Sequence, residues 1–188
     1  MQITPTALPD VLILTPGRFG DDRGWFSETF NTSRMREAGL NMVFVQDNHS
    51  MSARKGTLRG LHFQTPPRAQ DKLVRCSKGA ILDVAVDIRR GSPTYGKWVG
   101  VELSADNAKQ LLVPKGFLHG FVTRAENTEV QYKCSDLYAP ECDAGIRWND
   151  PDIGIDWGLD GDPVLSAKDT VAALLRDYDS PFRWETSK

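Results

Sequence analysis

From position 80 to 89 the chain reads AILDVAVDIR, with Leu82, Val84, Val86 and Ile88 at every second place and Asp83, Ala85 and Asp87 between them. A period of two puts the first set on one face of a strand and the second on the other. The same short, β-branched texture recurs at 25–30, 42–48, 57–64, 71–79, 97–104, 109–114, 119–124 and 129–136, with Gly, Pro, Asn or Asp between most runs. Helical periodicity is confined to a short stretch at 33–38 and a longer one, LSAKDTVAALLRDY, at 165–178. Runs of strands without helices between them predict an all-β antiparallel sandwich or barrel with a few short peripheral helices, and argue against a doubly wound fold. No linker, low-complexity tract or repeat divides the sequence, so one domain is expected over 1–188.

One strand carries an unusual polar row. In TLRGLHFQTPP (57–67), strict alternation would place Leu58, Gly60, His62 and Gln64 on one face, and Arg59, Leu61 and Phe63 on the other. A polar row beside an apolar one either meets solvent or lines a cavity.

Composition narrows the partners. Charged residues make up 26% of the chain, hydrophobic ones 40%, and the net charge is -2, which gives no general attraction to nucleic acid or to an anionic membrane. A charged ligand would have to be met locally. Cys76, Cys134 and Cys142 are odd in number and lack CxxC spacing, so neither a disulfide framework nor a zinc ribbon is indicated. No basic, apolar leader pattern opens the sequence and no apolar run reaches the length of a membrane span, so a cytoplasmic protein is expected.

PKGFLHG (114–120) contains a Pro-x-Gly-x-x-His spacing that resembles the second signature of the cupin superfamily, a double-sheet jelly roll or double-stranded β-helix. Metal-binding cupins draw His-x-His and a Glu from their first signature, whereas GLHFQ offers His62 alone, with Gln64 in the second place. A catalytic metal generally needs about three protein ligands. No metal site and no cofactor are therefore expected, and His49, in QDNHS, is left over.

Taken singly, the remaining polar residues have plainer readings. A lone His62 is most simply a hydrogen-bonded core histidine, and it becomes a base when a carboxylate holds its tautomer. Asp169 is the available carboxylate, but Ser166-x-x-Asp169 ahead of TVAALL reads first as a capping box for the last helix. Lys72 in QDKLVRC and Tyr132 in EVQYKCSD could be amphipathic residues at a sheet surface. Arg23 and Arg59 carry the planar fork that suits a diphosphate, or else form surface ion pairs. With neither GxGxxG nor GxxxxGK[ST] in the chain, a phosphate would be gripped by side chains.

The combination is more specific than its parts. DDRGWFSETF, FVQDNHS, LRGLHFQ, QDKLVRC, DVAVDIRRGSPTYGKWVGVELS, LLVPKGFLHGFV, YKCSDLY, IRWNDPDIGIDW and LSAKD resemble, in order and along nearly the whole chain, the dTDP-4-dehydrorhamnose 3,5-epimerase family. The resemblance implies a metal-free cupin acting as a homodimer on dTDP-4-dehydro-6-deoxy-D-glucose. By it, His62 is the proton-abstracting base, Asp169 its orienting carboxylate, Tyr132 the acid on the opposite face and Lys72 the cation beside the enolate oxygen. Arg59 and His119 would contact the sugar and diphosphate, with Gln46, Asp47 and Asn48 nearby. Tyr138 would stack on thymine, and Lys168 adjoins Asp169. Asp143 stands where relatives often carry Glu. Arg23 and Glu28 belong to an N-terminal region, about 1–50, that reaches across the dimer. Because Arg59 and His62 are both needed at the ligand, a bulge is expected at Gly60.

Three other readings compete. Some relatives epimerise only C3 or only C5 of a dTDP-deoxysugar. A non-catalytic jelly roll that binds nucleotide sugar would need only Arg23, Arg59 and Tyr138. A metal cupin oxygenase would need ligands that this sequence does not offer.

Overall fold

The computed structural model describes residues 1–185, so positions 186–188, the last three of the expected domain, lie outside the described residues. The strands are β1 (Gln2–Pro5), β2 (Leu12–Thr15), β3 (Phe19–Asp21), β4 (Gly24–Phe26), β5 (Gln46–Ser52), β6 (Leu58–Gln64), β7 (Lys72–Lys78), β8 (Ala80–Asp87), β9 (Trp98–Ser104), β10 (Gln110–Val113), β11 (Phe117–Thr123), β12 (Thr128–Cys134) and β13 (Asp143–Gly145). Two short helices, α1 (Thr32–Glu37) and α2 (Ala167–Thr170), lie outside the sheets. A six-stranded sheet in the order β1-β2-β10-β7-β12-β5 faces a five-stranded sheet in the order β13-β6-β11-β8-β9, and β3 and β4 form a separate hairpin. Every named ladder is antiparallel. This is the cupin jelly roll.

Three apolar layers follow from the alternation. Val74, Cys76, Ile81, Ala85, Leu103, Leu111, Phe117, Phe121 and Val130 fill the space between the sheets. Leu61, Phe63, Val84, Val86, Ile88 and Leu118 face the other way and are covered by the C-terminal segment through Ile153, Trp157 and Leu175. On the far face of the six-stranded sheet, Leu14, Leu73 and Leu112 are covered by Met35 of α1 and by Phe30, Met42 and Phe44. Each fully buried side chain of this size contributes about 1.5 to 3 kcal/mol, so the covering segments stabilise the fold together with the interior.

That layering decides which face of β8 is inward. Its apolar set, from Leu82 to Ile88, packs outward under the C-terminal segment, while Asp83, Ala85 and Asp87 face the interior, and both aspartates are wholly buried. Asp87 is satisfied by Arg89 and by the hydroxyls of Ser92 and Thr94.

Several elements differ from the sequence expectation. The run at 165–178 is helical only over Ala167–Thr170, with a separate 3-10 turn at Leu175–Asp177. Its residues are drawn to different partners: Ala173 bridges to Ile146, the Leu175 N–H reaches Asp150 Oδ2 at 2.6 Å, and Tyr178 packs edge-on against Phe63. Tertiary bonds of this kind outweigh local helix propensity. The strand expected at 42–48 begins at Gln46 instead, because Met42 and Phe44 are used as cover for the outer face. The strand expected at 25–30 ends at Phe26, and β1, β2, β3 and β13 lie in stretches whose patterns are too short to be read.

Candidate active site

The site begins with a bulge. His119 pairs with His62 and Phe121 with Arg59, so two steps along β11 oppose three along β6. The extra residue falls beside Gly60, whose φ is +138°. A Cβ there would lie 2.6 Å from the Gly120 Cα and 3.1 Å from the His119 carbonyl, so only glycine fits. The consequence overturns strict alternation: Arg59 and His62 line one cavity, while Leu61 and Phe63 turn together into the outer core.

That cavity, of about 390 Å³, is lined by Ser50, Arg59, His62, Lys72, His119, Phe121, Tyr132, Ser166 and Asp169, among others. A second compartment of about 190 Å³ shares His62, Lys72 and Tyr132 with it and adds Gln46, Asn48, Gln64, Tyr138, Asp143 and Lys168. The two compartments therefore form one cleft, with His62, Lys72 and Tyr132 on the boundary.

His62 Nε2 donates to Asp169 Oδ1 at 2.5 Å across 107 positions of sequence. Ser166 Oγ donates to Asp169 Oδ2 at 2.9 Å and accepts from the Asp169 N–H at 3.3 Å. The cap is thus made by the Ser166 hydroxyl and the Asp169 N–H, while the carboxylate takes that hydroxyl on one oxygen and His62 on the other. Burial pushes Asp169 up, but the His62 hydrogen bond and charge, the Ser166 hydroxyl and the Gly60 N–H together hold it below the ordinary carboxylate range. It stays ionised, and His62 keeps the tautomer whose Nδ1 is basic.

Tyr132 and Lys72 are set by their surroundings in opposite ways. Burial raises the Tyr132 phenol above its ordinary value, with Cys134 adding to the rise and Arg59 and Asn48 opposing it. Its proton is retained at neutral pH. Desolvation lowers Lys72 below the ordinary lysine range, against the opposing pull of Cys134, Asp143 and Asp83. Charge in such a place is poorly screened and acts strongly on a neighbour.

Around this centre, Asp143 Oδ2 pairs with Lys168 and lies 3.4 Å from the Tyr138 hydroxyl. Tyr138 is largely exposed at the mouth of the second compartment. Gln46 and Asn48 face the cleft, but Asp47, expected beside them, does not: alternation along β5 turns its side chain to the far face, where it pairs with Lys133 at 2.9 Å. Arg23 and Glu28 do not line this cleft. Arg23 sits on the β3–β4 hairpin with its side chain 89% exposed and paired to Asp21, and Glu28 pairs with Arg34 at 3.2 Å.

Two residues at the site, Asp83 and Ser50, were not singled out from the sequence. Asp83 Oδ1 accepts from His119 Nε2 at 2.7 Å inside the barrel. The available signal was two aspartates, Asp83 and Asp87, alternating with Ala85 on one face of the strand.

Among the described residues, no three His, Cys, Asp or Glu side chains converge to hold a metal. His62 and His119 instead each engage an aspartate of their own.

A family model described as dTDP-4-dehydrorhamnose 3,5-epimerase matches residues 5–177. The chain belongs to this family. The dTDP-4-dehydrorhamnose 3,5-epimerase of Escherichia coli K12 is 56% identical over 181 residues, covering 94% of this chain and 97% of the relative. The crystal structure of dTDP-6-deoxy-D-glucose-3,5-epimerase from Legionella pneumophila, in complex with dTDP-4-keto-L-rhamnose, superposes with a TM-score of 0.94 at 44% identity, covering 98% of this chain and 99% of that one. A dTDP-4-dehydrorhamnose 3-epimerase of Streptomyces niveus is also similar, at 37% identity over 94% of this chain and 85% of the relative. The family is one of isomerases.

Proposed function

We propose that the protein converts dTDP-4-dehydro-6-deoxy-D-glucose to dTDP-4-dehydro-L-rhamnose, a step of dTDP-L-rhamnose biosynthesis. The observation that carries the reading is the oriented His62–Asp169 pair sharing one cleft with the phenol of Tyr132 and the amine of Lys72.

The chemistry explains why these groups belong together. The hydrogens on C3 and C5 flank the C4 ketone, and removal of either leaves an enolate with its charge on O4. His62 takes the proton, and Asp169 stabilises the imidazolium that forms. Lys72 meets the charge on O4; a preorganised donor of this kind is worth about 10²- to 10³-fold in rate. Tyr132 returns a proton to the opposite face, which inverts the carbon. Arg59 and His119 hold the sugar and diphosphate, aided by Gln46 and Asn48, while Tyr138, Asp143 and Lys168 receive the nucleotide end.

We assign Arg23 and Glu28 to the site of a partner subunit in a homodimer. The hairpin that bears Arg23 exposes Phe19, Trp25 and Phe26 by 68%, 62% and 69%, an apolar patch that favours a protein partner over solvent. Three free, buried cysteines fit a cytoplasmic location. No described helix is long and apolar enough to cross a membrane.

The Streptomyces niveus relative supports a second reading, epimerisation at C3 alone, although its 37% identity is lower than the 56% of the Escherichia coli 3,5-epimerase. Incubation with dTDP-4-dehydro-6-deoxy-D-glucose in heavy water, read by NMR, separates the two. The proposal expects deuterium and inversion at both C3 and C5. Label at one carbon alone replaces it with the single-site reading, and no label at all overturns both.

A further inference from the structure

β5 is an edge strand that walls one side of the cleft, and Gln46, Asn48, Ser50 and Ser52 lie along its inward row. Three of the four are committed to protein partners. Gln46 Nε2 donates to Asn48 Oδ1 at 3.1 Å, and Gln46 Oε1 accepts from the Tyr138 N–H at 2.9 Å. Asn48 Nδ2 donates to Cys134 Sγ at 3.6 Å, and Ser52 Oγ accepts from Arg59 Nε at 3.3 Å. Ser50 is the exception. Its Oγ is shielded and has no hydrogen-bond partner among the described residues, although the residue lines the same cavity as Arg59, His62, Lys72 and Tyr132.

A shielded hydroxyl without a partner is unfavourable, and most buried polar groups find one. Position supplies a reason for this one. The register sets Ser50 opposite Val130 and Asn48 opposite Tyr132, which makes Ser50 and Tyr132 diagonal neighbours on the inner face. A step between staggered χ1 wells would turn the hydroxyl from the wall toward the cavity. There it would meet whatever lies beside the Tyr132 phenol.

Resting on the epimerase reading of this cleft, we infer that Ser50 is a sugar-recognition residue whose hydroxyl completes its hydrogen bond on a ring hydroxyl of the bound hexose. A serine hydroxyl both donates and accepts, as a sugar hydroxyl does, so the pair can adopt either polarity. The nucleotide-end groups Lys168 and Tyr138 line the second compartment, which Ser50 does not reach, while Arg59 shares the cavity of Ser50. Ser50 therefore discriminates the hexose and leaves the nucleotide to others.

The test compares Ser50→Ala with wild type in calorimetric binding of two probes, thymidine diphosphate and dTDP-glucose, neither of which requires turnover. Loss of the hydroxyl is expected to weaken dTDP-glucose about tenfold and to leave thymidine diphosphate unchanged. Ser50→Thr, which keeps a hydroxyl in a side chain suited to a strand, recovers much of the hexose affinity. The assignment is overturned if Ser50→Ala binds dTDP-glucose as wild type does. It is equally overturned if both probes weaken together, since that result makes Ser50 a structural residue. Turnover of dTDP-4-dehydro-6-deoxy-D-glucose, followed separately by NMR, reports on the epimerase reading: failure there with a hexose-specific binding loss in Ser50→Ala leaves the sugar contact standing and removes the reaction.

Discussion

His62 and His119 are register partners across β6 and β11, and each holds a buried aspartate from a different element: Asp169 from α2 at 2.5 Å and Asp83 from β8 at 2.7 Å. The two pairs look alike but have different duties in the proposed mechanism. Asp169→Asn leaves the helix cap intact while removing the acceptor that fixes the His62 tautomer, so kcat should fall by about 10²- to 10⁴-fold with the melting temperature little changed. Asp83→Asn acts on a histidine assigned to binding, and should raise KM more than it lowers kcat. Steady-state kinetics on both variants check the division, and equal losses of kcat would contradict it.

Base and acid are separable by isotope. His62→Ala should abolish deuterium entry at C3 and C5 together, because no enolate forms without it. Tyr132→Phe should still take up label, as His62 can return a proton to the face from which it came, while inversion slows by about 10²- to 10⁴-fold. Label and stereochemistry are read in the same NMR spectrum. Exchange at the wild-type rate in His62→Ala would move the base to another residue.

The opposite shifts of Lys72 and Tyr132 predict which group ends activity at high pH. Lysine ordinarily titrates near about 10.4 and tyrosine near about 10. Desolvation holds Lys72 below its ordinary value and Tyr132 above its own, so the two shifts bring forward the loss of the Lys72 charge and delay that of the Tyr132 proton as pH rises. The alkaline limb of kcat/KM in the free enzyme should therefore belong to Lys72 and lie below the ordinary lysine range. In Lys72→Arg the guanidinium does not deprotonate, and the limb of the residual activity should move upward. A limb that stays in place assigns it elsewhere.

Gly60→Ala tests the bulge. The added methyl would meet Gly120 at 2.6 Å on a backbone with φ at +138°, so the ladder must shift. A loss of about 1 to 3 kcal/mol in stability is expected from forcing a side chain into this conformation. Since Arg59 and His62 flank the bulge, binding of thymidine diphosphate should weaken as well. Denaturant unfolding and calorimetry measure the two effects, and an unchanged midpoint with unchanged affinity would show that regular pairing is accessible.

What the sequence alone determined is the local part of this protein. Alternation gave most of the strands, since a period of two survives wherever one face is buried, and Gly60 was marked because Arg59 and His62 had to share a cavity. The ordered motifs carried the family, and with it the residues of the cleft. What only the tertiary structure decided depends on groups distant along the chain. Alternation separated the two faces of β8 without saying which is inward, because what makes room for its aspartates inside is distant in sequence: His119 meets Asp83, and Arg89, Ser92 and Thr94 meet Asp87. The run at 165–178 looked like a helix, because local periodicity says nothing of Ile146 and Asp150, which draw Ala173 and Leu175 apart from it. Asp169 looked like a capping residue or a partner, and is both, because its backbone N–H meets the capping Ser166 hydroxyl while the fold brings His62 to its carboxylate.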